Sequence, residues 1–201
     1  AIAMEEISAA CAATGSIITG HYLGFDALYL AGTPEQKEKW LRPLITAKEG
    51  AKLGAFGLTE PNAGTDSAAQ QTVAVKQEDG SYIMNGSKVF ITGGGRADTY
   101  VVFAMTDKTK GNKGISAFVV DMKAPGVSCG KHEAKMGIVG YPTSDVVLED
   151  VRVHKSDMLG KENMGFINAM KTLDGGRLGV SAQSIGVAQG CLDEAIKYSK
   201  E

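Results

Sequence analysis

The spacing of apolar residues changes twice along the chain, so it predicts helices, then strands, then helices again. In residues 1–50 the apolar positions recur every three or four residues, which is the period of a helix. The segment TPEQKEKWLRPL supports this interpretation, because Thr33 is a predicted N-cap, Pro34 takes the first helical position and Gln36 completes a capping box. Pro43 is expected to bend or end that helix.

Residues 51–154 show the signals of strands and turns. The stretch TVAVKQEDGSYIMNGSKVFIT predicts a β-hairpin that turns at Asp79 and Gly80. Further strands are predicted from TYVVFAMT, GISAFVVD and SDVVLEDVRV. We therefore expect an antiparallel sheet or barrel in the middle of the chain.

Residues 155–201 begin as a loop and then return to a helical period. The apolar positions that define this period are Phe166, Met170, Leu173, Ile185, Ala188, Leu192 and Ile196. The first residues already follow a helical pattern without an initiator methionine, and the last residues lack a glycine cap or a proline stop. The sequence therefore indicates a piece of a longer chain.

Composition narrows the classes of function. The 201 residues are 43% hydrophobic and carry a formal charge of −2. This is enough apolar material for one large or two small domains, and it offers no basis for a nucleic-acid surface or a membrane span. The three cysteines lie far apart and predict neither a zinc site nor a disulfide framework, so a reducing compartment is favoured.

A serine nucleophile is one candidate chemistry. The residues around Ser128 match the G-x-S-x-G pattern of a hydrolase, with His132, Asp145 and His154 downstream as potential partners. A nucleophile elbow requires a strand before the serine and a helix after it, whereas KHEAKMG shows no helical period. The alternative for this segment is a turn and a short strand.

Other isolated signals are weak. The stretch GGGRAD lacks the spacing of a phosphate-binding loop, and no βαβ unit follows it. His21, His132 and His154 do not have metal-ligand spacing and are interpreted as surface or packing residues. No metal site is predicted.

Two polar segments that follow apolar runs are stronger candidates. The loop FGLTEPNAGTDS crowds hydroxyl, amide and carboxylate groups around Gly64, where backbone N–H groups can face an anion. The predicted strand KVFIT ends in Phe90, Ile91 and Thr92, so an aromatic face and a hydroxyl are available to hold a planar ring. Taken singly, each of these residues also fits an ordinary strand edge.

The combination of motifs resembles the acyl-CoA dehydrogenases, and it looks most like their short-chain, butyryl-CoA branch. The resemblance spans nearly the whole chain. It is carried by GLTEPNAGTD (57–66), NGSKVFITGGG (85–95), KGISAFVVD (113–121), EAKMGI (133–138), VVLEDVRV (146–153), LGKENMGF (159–166) and TLDGGRLGVSAQSIGVAQGCLDEAIKY (172–198).

This resemblance implies an α+β multidomain fold. Residues 1–50 would be the end of an N-terminal helical domain, residues 51–154 a middle antiparallel β-barrel, and residues 155–201 a linker and the first helix of a C-terminal four-helix bundle. The implied cofactor is FAD. The residues expected to bind it are Phe56, Gly57, Leu58, Thr59, Glu60, Pro61, Asn62, Ala63, Gly64, Thr65, Phe90, Ile91 and Thr92.

The resemblance also implies a substrate, a reaction and partners. The residues expected to contact acyl-CoA are Thr65, Asp174, Gly175, Gly176 and Arg177. The catalytic base is expected to be a glutamate beyond Glu201, so the chain alone would be inactive and Glu60 would be structural. The implied partners are an electron-transfer flavoprotein and further copies of the chain in a tetramer. The compartment would be the cytoplasm in a bacterium or the mitochondrial matrix in a eukaryote.

Two alternatives to a dehydrogenase remain open at this point. One is a non-catalytic module that binds FAD or acyl-CoA, and the other is a serine hydrolase that uses Ser128. Within residues 172–178, Gly175 and Gly176 are compatible either with close packing between helices or with the approach of a ligand, because each glycine costs a helix about 1 kcal/mol relative to alanine.

Overall fold

The computed structural model describes residues 1–46 and 52–201, and its elements follow the predicted order. The helical elements are α1 (Ile2–Ala10), α2 (Ala12–Ala31), α3 (Pro34–Gln36), a π turn (Lys37–Leu41), α4 (Arg42–Ile45) and α5 (Gly165–Tyr198). The strands are β1 (Gly54–Gly57), β2 (Val73–Lys76), β3 (Tyr82–Thr92), β4 (Thr99–Met105), β5 (Ile115–Asp121), β6 (Val127–Cys129), β7 (Thr143–Val153) and β8 (Met158–Leu159). The predicted boundary between residues 50 and 51 lies outside the described residues.

The capping box is confirmed. The Gln36 N–H donates to Thr33 Oγ1 at 3.3 Å, and the Thr33 N–H donates to Gln36 Oε1 at 2.9 Å. Pro43 was predicted to bend or end this helix, and it does not end it at its own position, because helical backbone continues through α4 as far as Ile45. A π turn precedes the proline, and such a wider turn is a known way to accommodate a disturbance of the helical hydrogen-bond ladder.

The predicted hairpin and strands are confirmed, but a purely antiparallel barrel is not. The strand order is β6-β7-β3-β2-β4-β5-β8, with β1 paired to β4. The pairings of β4 with β1 and with β2 are parallel, so the sheet is mixed. In the described part of the chain the end strands β6 and β8 do not pair with each other. They are three and two residues long, and therefore offer few backbone groups with which to close a ladder.

The sheet wraps around one core and presents a second core to the helices. Alternate residues of β4 point into the two cores, with Tyr100 and Val102 in one and Val101 and Phe103 in the other. Both faces of the strand are therefore buried, which explains its uninterrupted apolar sequence. The ring centroids of Tyr82 and Phe118 are 5.2 Å apart, although strands β2 and β4 lie between their strands, β3 and β5, in the sheet order. The sheet is therefore strongly curved.

Helix α5 packs against α1 and α2, the first two helices of the chain. A Cβ atom at Gly186 would overlap the backbone of Glu5, so the missing side chain permits close contact between α5 and α1. Part of the apolar surface of α5 is uncovered, since Ile185, Leu192 and Ile196 are exposed. Of the predicted C-terminal bundle, the described residues contain this single helix.

Candidate functional site

A cleft of about 570 Å³ lies between the helices and the sheet. Its volume is within the range typical of small-molecule and cofactor sites. It collects residues from α2, from β1 and the segment that follows it, from the end of β3 and from α5. They are Ser16, Thr19, Gly20, Leu23, Phe56, Leu58, Thr59, Gly64, Thr65, Ser67, Phe90, Ile91, Thr92, Met170, Leu173, Arg177, Val180 and Gln183.

The polar loop that sequence analysis singled out forms one wall. A pair of backbone hydrogen bonds between Glu60 and Ala63, at 3.2 and 3.1 Å, makes a tight turn. This turn places Gly64 and Thr65 on the surface of the cleft, where both are exposed. Their backbone and hydroxyl groups are therefore accessible to a ligand.

The end of β3 forms the facing wall, and a β-bulge sets the direction of its side chains. Lys88 pairs with Val146 but Ile91 pairs with Ser144, so one extra residue is inserted in β3. Phe90 lies in this bulge with φ of 58° and is 66% exposed, while Ile91 is buried. Strict alternation from buried Lys88 would have pointed Phe90 inward, so the bulge is what directs this ring to the cleft.

Helices α2 and α5 supply a further wall, of which the sequence analysis identified only Arg177 as a site residue. Gln183 joins them, because its Nε2 donates to Ser16 Oγ at 2.7 Å and to the Ala12 carbonyl at 3.1 Å. Gly20 faces Thr92, whose Cγ2 would be 2.8 Å from a Cβ at this position. The available signal was a stripe of small or polar residues at helical spacing within an apolar helix, formed by Ser16, Thr19 and Gly20.

A buried ion pair lies behind the polar loop. The Lys88 side chain is fully buried and its ammonium donates to Glu60 Oε1 at 2.8 Å, to Gln70 Oε1 at 2.8 Å and to the Leu58 carbonyl at 3.2 Å. Burial lowers the pKa of Lys88 to about 8, although the Glu60 carboxylate acts in the opposite direction. For Glu60, burial tends to raise the pKa, but the Lys88 ammonium and the hydrogen bonds from Thr72 and Gln71 together outweigh it, so the net direction is downward. Glu60 therefore faces the protein interior as a carboxylate.

Of the thirteen predicted cofactor residues, eight line the cleft and five do not. Gly57 packs against the Tyr100 ring, and Ala63 is buried in the turn. Glu60, Pro61 and Asn62 line a separate hollow of about 220 Å³.

The predicted substrate residues of α5 divide in a similar way. Arg177 lines the cleft and donates from Nη1 to Asp174 Oδ1 at 2.7 Å, in an exposed ion pair. Gly176 packs on α2, because a Cβ there would be 2.7 Å from Leu23 Cδ2. Gly175 lies near Asp26, with 3.4 Å between a hypothetical Cβ and the Asp26 carboxylate. Close helix packing thus accounts for Gly176.

The hydrolase alternative receives no support from the geometry. Ser128 lies in the short strand β6, and irregular backbone rather than a helix follows it. The surrounding hollow has about 600 Å³ but no aromatic lining, and its sides carry the solvent-facing Lys52, Arg96 and Lys123. The prediction of a turn and a short strand is confirmed for this segment.

His21 has the packing role that was predicted for it. Its Nδ1 accepts a hydrogen bond from the Gly54 N–H at 3.1 Å, and burial lowers its pKa. Among residues 1–46 and 52–201, no group of three or more metal-ligating side chains lies close together. In the same part of the chain, no helix is both long enough and apolar enough to cross a membrane.

The cleft has the features that a planar, phosphate-bearing cofactor requires. Phe56 and Phe90 provide aromatic surfaces, and Thr59 and Thr92 provide hydroxyl groups. Gly64 has a backbone that suits any residue, and no atom of the chain lies within 4 Å of a hypothetical Cβ. The open space beside its backbone fits the close approach of a ligand phosphate. Such a site is typical of a protein that binds an organic cofactor.

The chain belongs to the acyl-CoA dehydrogenase family. Sequence profiles of this family match in order: the N-terminal domain at residues 1–48, the middle domain at 55–151 and the C-terminal domain at 163–201. Enzymes of this family depend on FAD.

Individual relatives support the same assignment. Over its whole length the chain is 55% identical to a short-chain-specific acyl-CoA dehydrogenase from Clostridium acetobutylicum, and the match covers 52% of that enzyme. Over 87% of its length the chain is 59% identical to a subunit of the caffeyl-CoA reductase–Etf complex from Acetobacterium woodii, and the match covers 45% of that subunit. The structure of butyryl-CoA dehydrogenase from Megasphaera elsdenii matches with a TM-score of 0.95 and 52% identity, over 99% of this chain and 51% of that one. The chain thus spans about half the length of the relatives it matches.

Proposed function

We propose that this chain forms part of the FAD pocket and part of the substrate pocket of an enzyme that desaturates short-chain acyl-CoA thioesters. The observation that carries the proposal is the cleft, in which an aromatic residue, threonine hydroxyls and the open backbone of Gly64 face one another. Its close relatives include a short-chain-specific dehydrogenase, which favours a short acyl group. A reductase among the relatives indicates that the same site chemistry can serve the reverse direction.

Each wall has a role in this proposal. Phe90 packs against the ring system and excludes water from it, while Leu58 and Thr59 contact its polar end. Gly64 and Thr65 present backbone N–H groups to the phosphates. FAD supplies the acceptor for the hydride that leaves the substrate's β-carbon. The Thr92 hydroxyl would be available to donate a hydrogen bond to the flavin nitrogen that accepts the hydride, and so to stabilise negative charge there.

The base that removes the α-proton is proposed to come from outside this cleft wall. No aspartate or glutamate is among the described residues that line the cleft. Glu60 is unsuitable, since it is buried in an ion pair with Lys88. By resemblance, a glutamate beyond Glu201 provides the base, and Arg177 contributes to binding the CoA thioester.

The proposal extends to partners and location. An electron-transfer flavoprotein would reoxidise the flavin, as the relative that forms an Etf complex suggests. Further helices and further copies of the chain in a tetramer would cover Ile185, Leu192 and Ile196. The compartment would be the cytoplasm in a bacterium or the mitochondrial matrix in a eukaryote.

FAD binding by the 201-residue chain tests the cleft assignment directly. Phe90→Ala should weaken binding about fivefold, since an aromatic stacking contact contributes about 1 kcal/mol. Tyr29→Ala is the matched control, because Tyr29 is also an exposed aromatic residue but lies outside the cleft. Equilibrium dialysis measures both. Equal FAD affinity of Phe90→Ala and the unmodified chain would refute the proposed wall.

Turnover and covalent labelling distinguish the classes of function. The chain alone, with butyryl-CoA, added FAD and a dye acceptor under anaerobic conditions, should not exceed a free-FAD control. The same assay on a protein that continues to the proposed glutamate should show turnover, whereas a binding module would show none. Labelling of Ser128 by a fluorophosphonate would instead support the hydrolase.

A further inference from the structure

The loop from residue 58 to residue 72, here called the cleft loop, is anchored from within by one lysine. All three N–H groups of the Lys88 ammonium are used, by Leu58 at one end of the loop, by Glu60 next to it and by Gln70 near the other end. The Lys88 side chain has no exposed surface. A single buried charge therefore joins two distant parts of the loop to β3.

The anchoring continues through the backbone next to Lys88 and through the side chain of Glu60. The Val89 N–H donates to the Thr59 carbonyl at 3.0 Å, so β3 holds the loop directly as well. Glu60 accepts from the N–H of Gln71 at 2.6 Å and of Thr72 at 3.1 Å. The beginning and the end of the cleft loop are thereby fixed to each other through the Glu60 carboxylate.

Apart from these contacts, the cleft loop is held by its own short turns and by the Met105 N–H, which donates to the Thr72 carbonyl at 2.8 Å. Its buried apolar side chains are Leu58 and Ala63, which provide only a small hydrophobic contribution. The segment between its anchors contains Gly64, Thr65 and Ser67, which face the cleft. A loop of this composition would otherwise sample many backbone conformations.

We propose that Lys88 is a positioning residue that holds the cleft loop against β3, so that Thr59, Gly64 and Thr65 are already in place when FAD binds. This inference rests on the proposed function for the identity of the ligand. Lys88 does not line the cleft, and it acts through the loop rather than by contact with the cofactor. It also lies two residues before Phe90 on β3. The same lysine therefore connects the cleft loop, which forms one wall, to the strand that carries Phe90 on the facing wall.

Lys88→Met tests the role, because it keeps an unbranched side chain of similar length and removes the three hydrogen bonds. If one backbone residue must then be ordered at the moment of binding, FAD affinity falls about tenfold. Lys39→Met is the matched control. Lys39 also lies 2.8 Å from a carboxylate, that of Asp157, but its side chain is exposed and does not line the cleft.

The double variant Lys88→Met/Glu60→Gln separates positioning from simple charge burial. It removes the unpaired carboxylate that the single variant leaves, so thermal stability should recover in part. FAD affinity should stay low, because the links to Leu58 and Gln70 are still absent. Recovery of affinity together with stability would overturn the proposal.

Hydrogen exchange without FAD gives an independent measurement. Peptides from residues 58–72 should exchange at least tenfold faster in both Lys88 variants than in the unmodified chain, while peptides from the middle of α5 stay unchanged. Loop exchange equal to that of the unmodified chain, or equal acceleration in all peptides, would refute the positioning role. If the unmodified chain binds no FAD, the proposed function fails, and loop exchange still decides whether Lys88 positions the loop.

Discussion

Gly64→Ala should raise the stability of the chain while it weakens cofactor binding. Gly64 has a backbone conformation that alanine adopts freely, and no atom of the chain lies within 4 Å of the added methyl group. Nothing in the folded chain therefore requires a glycine at this position. If the space beside it receives a ligand phosphate, the same methyl group obstructs that ligand.

The magnitude follows from the unfolded state. Alanine has fewer backbone conformations than glycine to lose on folding, which is worth about 0.4–1 kcal/mol at a compatible site. For a chain of this size the midpoint of thermal unfolding should rise by about 1–4 °C. Overpacking against a bound ligand costs about 1–3 kcal/mol, so FAD should bind roughly five- to 150-fold more weakly.

Gly57→Ala is the matched control within the same segment. Its methyl group would overlap the buried ring of Tyr100, so about 1–3 kcal/mol of stability should be lost. Thermal unfolding followed by circular dichroism and FAD titration by equilibrium dialysis should be applied to both variants. A lower unfolding midpoint for Gly64→Ala would refute the interpretation of its surroundings. Unchanged FAD affinity would show that the cofactor does not approach Gly64.

Three further predictions concern the cleft and its supports. Thr92→Val, in a protein that contains the proposed base, should slow flavin reduction by butyryl-CoA in rapid-mixing absorbance more than it weakens FAD retention; lost FAD with unchanged reduction would assign Thr92 a structural role. Arg177→Met should weaken acyl-CoA binding in a titration but change the unfolding midpoint little, since its ion pair with Asp174 is exposed; the reverse outcome would limit Arg177 to the fold. Burial lowers the pKa of His21 in the folded chain, so the unfolded chain takes up the proton first as the pH falls. The free energy of unfolding should therefore decrease as the pH falls below about 6.5, the ordinary pKa of histidine. Denaturant titrations between pH 8 and pH 5 should show a smaller loss for His21→Gln, and an equal loss would contradict this reasoning.

The local patterns of the sequence predicted most of the individual elements. The Thr33 capping box, the hairpin at residues 79–80 and the long apolar strands each depend on neighbouring residues, and each is present. That the helix continues past Pro43 to Ile45 could not be predicted, because the rule for proline assumes an undisturbed α-helix, whereas a π turn precedes it here. Closure of the sheet could not be inferred, because it depends on pairing between the ends of the strand order, β6 and β8, which are far apart in sequence.

The cleft was predicted only where its residues are contiguous in sequence. The loop around Gly64 and the end of β3 each combine several polar or aromatic groups within a few residues. The helix wall contributes isolated positions such as Thr19 and Gln183, which the fold brings together across 164 residues. Lys88 was missed for a different reason: in an alternating strand a lysine is normally assigned to solvent, and only its three buried acceptors explain why it points inward.

The locally unfavourable features of this chain have a common explanation in the cleft. A lysine is buried, an aromatic residue adopts a left-handed backbone conformation and a glycine faces open space, all within two segments that face each other. A regular β3 would place Phe90 in the core, and an apolar residue at position 88 would leave Glu60 and the cleft loop without their anchor. A regular β3 and an apolar residue in place of Lys88 would thus favour the stability of the fold. The same changes would remove polar and aromatic surfaces from the cleft. That trade-off is expected where a site, rather than the fold, determines the residue.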